Sequence, residues 1–301
     1  MEKFKSGFVS IIGRTNVGKS TLLNELVGEK VAIMTNKTQT TRTAIKAIVN
    51  RKHSQIIFID TPGIHKPKTK LGNVMIDTAF GTIPEVDVIL FMIEATSENI
   101  GKGDSRILEK LKESHQKVIL LINKIDLVKK EQIAKLIKMY SKEYNFEAII
   151  PISALKKKEI ETILEEIETL LKEGPAFYDI DQYTDQTARQ LVEEVIREKA
   201  LKLLDDEVPH GIYVEVEKMK LASTKEKEKI YNIETTIYCL RDSHKGIIIG
   251  KNGQMLKRIG TYARQDLEKM LGIKINLKTW VKVRKDWQEE DLMMKKFKLN
   301  D

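Results

Sequence analysis

Four short segments carry residue types whose spacing suits phosphate, metal and base recognition. The first, Gly13-Arg14-Thr15-Asn16-Val17-Gly18-Lys19-Ser20, has the pattern G-x-x-x-x-G-K-S and lies between an apolar run and a helical pattern. Its glycines let backbone N–H groups curl around a β-phosphate, and a helix opening at Lys19-Ser20-Thr21 adds the positive end of its dipole. Lys19 is expected to reach the β and γ oxygens, and the Ser20 hydroxyl to ligate Mg²⁺. The second segment, Asp60-Thr61-Pro62-Gly63, leaves an apolar run with a carboxylate for the metal shell and a glycine whose N–H can approach a γ-phosphate. In the third, Asn123-Lys124-Ile125-Asp126, a carboxylate can accept two hydrogen bonds from the N1–H and N2 edge of guanine. Adenine has no such donor pair, so a site built around this acceptor rejects it. The fourth, Ser153-Ala154-Leu155, offers a backbone N–H to guanine O6.

A threonine-rich loop, Thr38-Gln39-Thr40-Thr41-Arg42, lies between the first two segments. A hydroxyl there could complete a Mg²⁺ shell only while a γ-phosphate is present, which would make the loop a switch. Thr41 is the preferred ligand and Thr40 its competitor. After Gly63, where many GTPases place a water-orienting Gln, stands Ile64, whose side chain cannot hydrogen-bond water. Intrinsic hydrolysis is therefore expected to be slow. The catalytic set on this reading is Lys19, Asn16, Thr41 and Gly63, with Asn16 a candidate to help hold a monovalent cation such as K⁺ against the phosphates.

Each of these segments follows or precedes an element that could position it. Strands are expected over 8–12, 44–49, 56–59, 88–93, 118–122 and 148–152, rich in Ile and Val and mostly separated by helix-length segments. That pattern makes a mostly parallel sheet covered on both faces, with the 44–49 and 56–59 runs close enough to pair antiparallel. In such a sheet the carboxyl ends of the strands line one edge, where ligands bind. A helix over 159–172 closes this domain, 1–174. Glu173-Gly174-Pro175 breaks the helix, and 175–185 reads as a linker.

Residues 186–301 follow another order: a helix over 187–204, strands over 212–218 and 230–240 joined by a Lys/Glu-rich turn at 223–229, a helix over 254–271, a strand over 274–283 and a charged tail. Before the second helix stands Ile247-Ile248-Ile249-Gly250-Lys251-Asn252-Gly253. Gly250-Lys251-Asn252-Gly253 is a G-x-x-G loop, which in KH domains clamps the backbone of about four nucleotides while an adjoining apolar groove takes the bases. Lys245, Lys257, Arg258, Arg264, Lys278 and Lys282 surround it with positive charge. Aromatic platforms are few, Tyr262 and Trp280 at most, and Trp280 could equally belong to the core.

Composition fits this plan. The 301 residues suffice for two domains without a disulfide or metal staple, and 41% apolar with 32% charged residues excludes a wholly disordered chain. The longest uncharged apolar run is six residues, far below the ~20 of a membrane span. No signal peptide is expected at the N-terminus. The single Cys239 suits a reducing cytosol and a place in a strand. Of the formal charge of +8, residues 241–285 contribute more than the whole, with 12 basic against 3 acidic residues. That concentration points to a polyanion partner.

Taken together, GRTNVGKS, KTQTTR, DTPG, NKID, SAL and IIIGKNG resemble the Era family across the whole chain. The resemblance implies an α/β fold comprising a Ras-like P-loop GTPase domain and a smaller α+β type II KH domain. It implies a Mg²⁺-dependent GTPase cycling between GTP and GDP, monomeric and cytoplasmic. Such a protein would bind 16S ribosomal RNA near its 3′ end and assist 30S subunit assembly, with weak peripheral contact to the inner membrane. Related GTPases with Asn and an apolar residue at the positions of Asn16 and Ile64 are often K⁺-activated. The RNA contacts implied are Ile247, Ile248, Ile249, Gly250, Lys251, Asn252, Gly253, Lys257 and Arg258. Two rivals stay open: a GTPase of tRNA modification or signalling, and an RNA chaperone using GTP as a structural ligand.

Overall fold

The apolar runs become strands because both of their faces are covered. The computed structural model describes residues 3–35, 37, 40–64, 67, 69–223 and 229–295. Thr38 and Gln39, the tip of the Lys/Glu-rich turn and the last six residues of the charged tail lie outside the described residues. Strands β1 (Lys5–Gly13), β2 (Ile45–Asn50), β3 (Ser54–Asp60), β4 (Val88–Glu94), β5 (Lys117–Asn123) and β6 (Ala148–Pro151) form one sheet in the order β2-β3-β1-β4-β5-β6. Only β2 runs antiparallel, against β3, as the short connection between them requires.

Along β4, Val88, Leu90 and Met92 enter one buried cluster while Ile89, Phe91 and Ile93 enter another. This is why the run shows no polar alternation. Helices α1 (Lys19–Val27) and α5 (Ile160–Leu170) supply Leu22, Leu26, Ile163 and Ile167 to the first cluster. Helices α2 (Lys70–Gly81), α3 (Lys102–Lys112) and α4 (Lys130–Glu143) supply Ala79, Ile107, Leu111, Leu136 and Tyr140 to the second.

The segment 175–185 is laid along this sheet rather than hanging free. Ser6 Oγ donates to the Pro175 carbonyl at 2.6 Å, and the Phe177 ring meets Phe8 at 5.0 Å between centroids. The fully buried Gln55 accepts from the N–H groups of Phe177 and Tyr178 at 2.7 and 3.0 Å and donates to the Tyr178 carbonyl at 2.8 Å. Farther on, Ile48 N–H donates to the Tyr183 carbonyl, and Thr184 pairs antiparallel with Ala47. The segment thereby covers the edge strand β2, which would otherwise present unpaired backbone.

The chain forms two compact units. One holds residues up to Ala32 and Thr41–Asp185; the other holds 186–294 with the short segment Ile33–Thr40. In the second, α6 (Ala188–Leu203) starts at Thr187 with a capping box to Gln190. Strands β7 (Tyr213–Ser223), β8 (Lys229–Cys239) and β9 (Lys274–Val283) form a sheet in that order, antiparallel between β7 and β8 and parallel between β8 and β9. Helices α7 (Asp242–Ile249) and α8 (Gln254–Leu271) stand between β8 and β9. Val214, Val216, Ile233, Ile237, Ile275 and Val281 face α6 and α8, and Cys239 is buried with them.

The charged tail expected after β9 carries an anchor and a short helix within residues 286–295. Trp287 is completely buried, its indole N–H bonded to the Gly211 carbonyl at 3.0 Å and its ring 5.8 Å from that of Tyr213, and α9 (Asp291–Lys295) follows. A single aromatic among charges gives no periodic pattern from which to read this anchor.

Replacing Gln55 by Ala should leave the Phe177 and Tyr178 amides unpaired, at a cost of about 1–3 kcal/mol. For a domain of this size each kcal/mol lowers Tm by roughly 2–4 °C. Thermal denaturation of Gln55→Ala should therefore show a Tm several degrees lower with nucleotide affinity unchanged.

Candidate nucleotide site and nucleic-acid groove

At the carboxyl ends of β1, β3 and β5, the predicted phosphate, metal and base segments meet. Gly13 ends β1, Asp60 ends β3, Asn123 ends β5, and Ser153 follows β6. Asn123 joins two of these loops: its side-chain amide donates to the Val17 carbonyl at 2.8 Å and its carbonyl accepts from the Ala154 N–H at 3.0 Å. Ser153 Oγ donates to Asp126 at 2.5 Å, and this hydroxyl bond holds the Asp126 carboxyl below its ordinary value. Asp126 is solvent-exposed and ionised, with capacity to accept from a ligand beyond Ser153. Leu155 is largely exposed beside Ala154.

Within the phosphate loop, Val17 is buried, Thr15 is half-buried and Asn16 is exposed with φ +64°. Gly18 has φ +106° and lies so close to the Asn123 amide that a Cβ would collide with it. Lys19 is almost wholly buried, its Nζ donating to the Gly13 and Arg14 carbonyls at 3.2 and 3.0 Å. Burial lowers its pKa to about 8 against the pull of Asp60. Thr21 is half-buried on the first turn of α1.

Three hydroxyl and carboxyl groups close on one point. Ser20 Oγ donates to Asp60 Oδ2 at 2.9 Å, Thr41 Oγ1 donates to the same oxygen at 3.2 Å, and the two hydroxyls are 3.1 Å apart. Thr40 instead turns its hydroxyl to the Lys37 carbonyl at 2.6 Å. The other Asp60 oxygen, Oδ1, is buried with no partner among the described residues. Burial raises the Asp60 pKa, opposed by Lys19 and then by the Ser20 and Thr41 hydroxyls. A set of hard oxygens with one unsatisfied carboxylate oxygen fits Mg²⁺.

Gly63 is required by contact. A Cβ there would meet Thr15 Cγ2 at 2.8 Å and its Cα at 2.9 Å. Ile64 donates its N–H to the Gly13 carbonyl at 3.0 Å and buries its side chain among Ile12, Ile59 and Phe91. Its apolar character thus follows from packing.

Arg14, Glu94 and Asp104 carry no functional signal in the sequence, yet they brace the site. Arg14 Nε bonds Asp104 Oδ1 at 3.0 Å and its Nη2 bonds Ser97 Oγ at 2.9 Å. Glu94 takes Lys124 Nζ at 2.6 Å. The phosphate loop and the base segment are therefore tied through β4 and α3. Their only trace is a Glu at the end of an apolar strand and an Asp in the first turn of α3.

In the second unit, Gly250 and Gly253 have φ +72° and +76°, and Asn252 between them has +52°. A Cβ at Gly250 would meet Met255 Cβ at 2.7 Å, whereas the space around Gly253 is open. Lys251 and Asn252 in the loop and Lys257 and Arg258 on the following helix are all exposed. Ile247 is half exposed and Ile249 half-buried. Ile248, expected among the RNA contacts, is completely buried in the core it shares with α8 and β8, because Ile247–Ile249 form the last turn of α7 and only one side of that turn faces outward. From the loop an open groove of about 370 Å³ runs between α8 and β9. Its floor is Leu256 and Leu277, its walls are Gly260, Thr261 and Thr279, and Lys257 and Arg264 stand over it. Leu277, Thr279, Gly260 and Thr261 have no sequence signal, since a small residue on a helix and alternate strand residues give no motif.

The geometry defines a P-loop guanine-nucleotide domain followed by a KH domain. Residues 8–124 match the 50S ribosome-binding GTPase family model and residues 207–288 the KH domain model. GTPase Era of Ruminiclostridium cellulolyticum is 53% identical over 97% of this chain and 96% of its own length, and that of Clostridioides difficile is 52% identical over 99% of both. The crystal structure of Era in complex with MgGDPNP and nucleotides 1506-1542 of 16S ribosomal RNA superposes with a TM-score of 0.93, at 39% identity, covering 98% of this chain and all of that one. A variant of Aquifex aeolicus Era bound to GDP.AlF4- gives the same score at 40% identity over 98% of this chain and all of its own. The chain belongs to the GTPase Era family, and it is a GTPase with an RNA-binding KH domain.

Because phosphate oxygens raise a Lys19 pKa that burial holds at about 8, nucleotide binding at about pH 8.5 should take up protons, whereas binding at about pH 6.5 should leave Lys19 unchanged. Titration calorimetry in buffers of different ionisation enthalpy should show that uptake at the higher pH, and no such uptake should appear there in Lys19→Met.

Proposed function

We propose that the protein hydrolyses GTP to GDP and phosphate as a switch controlling its hold on the 3′ region of 16S ribosomal RNA, and so acts in 30S subunit assembly. The observation that carries this is the presence, on one chain, of the guanine site around Asn123 and Asp126 and of the G-x-x-G groove, in a chain similar over its whole length to an Era solved with that RNA. On this reading the backbone of Gly13–Ser20, with Lys19, holds the β- and γ-phosphates, and Thr15, Val17 and Thr21 shape the loop. Asp126, Ala154 and Lys124 hold the guanine, with Asn123, Ser153 and Leu155 around them. Ser20, Thr41 and Asp60 would hold Mg²⁺, which when bound neutralises charge building on the phosphate oxygens. Thr41 is favoured over Thr40 by its hydroxyl, which lies beside Ser20 and Asp60. Gly63 presents its N–H to the γ-phosphate. Gly250, Lys251, Asn252 and Gly253 clamp the RNA backbone, with Ile247, Ile249, Lys257 and Arg258 alongside.

With Ile64 packed inward, no side chain at that position orients the attacking water, so unaided turnover is slow. Asn16, exposed in the phosphate loop, would help bind K⁺ beside the phosphates. The same turnover in K⁺ and Na⁺ buffers, with Asn16→Ala unchanged, would sink that part of the reading. The protein works as a cytoplasmic monomer; no helix among the described residues is long and apolar enough to cross a membrane, and contact with the inner membrane would be peripheral.

Crosslinking to total RNA with and without a non-hydrolysable GTP analogue, followed by sequencing, should enrich the 16S 3′ end in a nucleotide-dependent way. Gly253→Asp, which sets a carboxylate in the open mouth of the groove, should lose that RNA while GTP affinity stays within about twofold. Enrichment of tRNA instead would favour a tRNA-modification role.

A further inference from the structure

The face of the second sheet turned away from α6 and α8 is built unlike a simple solvated face. On β9, Lys274, Asn276, Lys278, Trp280 and Lys282 alternate outward, while Ile275, Leu277 and Val281 face the helices. Beside them on β8 stand Asn232, Glu234, Thr236 and Tyr238, and beyond these Lys218 and Lys220 of β7. Lys218, Lys220, Lys274 and Lys278 are exposed, and none has a carboxylate within 4.0 Å among the described residues. The acidic groups here are few: Glu217 is engaged by Tyr238 at 3.2 Å and Lys282 at 3.8 Å, Glu215 is half-buried, and Glu234 lies in register between Lys218 and Lys278. An open groove of about 320 Å³ runs among Lys218, Lys220 and Lys278, with the Asn276–Asn232 amide pair, bonded at 2.8 Å, in its lining.

Trp280 stands on this face from the edge strand β9, between Lys278 and Lys282. At the neighbouring end, Tyr238 stacks on Tyr213 at 6.0 Å and Tyr213 is covered by Trp287, so those aromatic surfaces are used internally. Trp280 is 45% exposed, and its side chain has no ring, ion-pair or hydrogen-bond partner among the described residues. An indole held open between two lysines on its own strand offers a stacking surface flanked by phosphate contacts. Alternate residues of a strand repeat at about 6.6 Å, a step comparable to that between phosphates of an extended single strand.

We propose that this face is a second RNA-binding surface, taking single-stranded RNA that extends past the G-x-x-G groove, with one base stacked on Trp280 and phosphates on Lys274, Lys278 and Lys218. The proposal rests on the reading of the KH domain as the RNA-binding part of the chain. A groove of this kind clamps about four nucleotides, so a longer RNA must find further support elsewhere. Five lysines on one face, four of them without a carboxylate partner among the described residues, suit a polyanion. A planar exposed ring selects one with accessible bases over a duplex.

The test compares two probes on the full-length protein: RNA of nucleotides 1506-1542 of 16S ribosomal RNA, and the best-bound fragment of about four nucleotides from it. Trp280→Ala should weaken the long RNA about tenfold and leave the short one unchanged. The double variant Lys274→Gln/Lys278→Gln should flatten the salt dependence of long-RNA binding by about 0.7 in log–log slope for each phosphate left without its cation, again with no change for the short probe. Equal long-RNA affinity in wild type and Trp280→Ala overturns the proposal, as does an equal weakening for both lengths, which would place the effect in the groove or the fold. A wild-type protein that binds neither probe overturns the KH reading and this proposal together; one that binds both lengths equally overturns this face alone.

Discussion

The nucleotide site depends on one side chain that satisfies two loops at once. Asn123 gives its N–H to the Val17 carbonyl and takes the Ala154 N–H on its oxygen, so the phosphate loop and both base-binding loops share a single buried amide. A carboxylate in its place could accept from Ala154 but would face the Val17 carbonyl with no proton. A hydrocarbon would leave both backbone groups unpaired, a cost of about 1–3 kcal/mol for each. This bridge is possible only because β1 and β5 run parallel on either side of β4, with their carboxyl ends at the same edge. The sheet order therefore determines more than shape: it places a strand-end amide where it can reach a loop 106 residues away in sequence.

Around that bridge the electrostatics are kept in tension. Lys19 and Asp60 are both buried, and burial shifts each toward its neutral form, while each is pulled back by the other. Lys19 spends its donors on two loop carbonyls, and Asp60 receives two hydroxyls on one oxygen and nothing from the described residues on the other. Such a pair is poised for ligands that carry the missing charges. Phosphate oxygens suit the ammonium, and a divalent cation suits the carboxylate. The Arg14–Asp104 pair, by contrast, has its guanidinium already bonded and serves to hold the loop.

Much of the nucleotide site is legible in the sequence because its chemistry is local. A phosphate loop needs its glycines and lysine at fixed offsets, and a strand that feeds it must be an apolar run, so both leave a continuous trace. Several strands run past their apolar stretches, because polar side chains such as Lys5, Ser54 and Asn50 continue the ladder without an apolar signature. What the sequence hides is long-range. Gln55 gives no hint that it anchors a segment more than 120 residues later, and 175–185 reads as a tether because Pro, Tyr and Asp are ordinary linker residues. Trp287 is hidden for the same reason. Ile248 is indistinguishable from its neighbours as one of three consecutive isoleucines, whereas the helix that carries them fully buries only that one.

The second unit shows how a sheet with one covered face can carry two different chemistries. Residues of β9 pointing toward α8 are Leu277 and Thr279, which floor and wall the groove beside the G-x-x-G loop. Residues pointing the other way are Lys278, Trp280 and Lys282. With period two, a one-residue slip of this strand would exchange the sets and destroy both surfaces. The pairing of β9 with β8 in unbroken register from Lys274 to Val283 holds each set on its own side. Ile275 and Val281, buried near the ends of the strand, supply the hydrophobic penalty against slipping. All three lysines of β9 thus stand on one face of the sheet, while the cations beside the G-x-x-G groove, Lys251, Lys257 and Arg264, come from the loop and from α8.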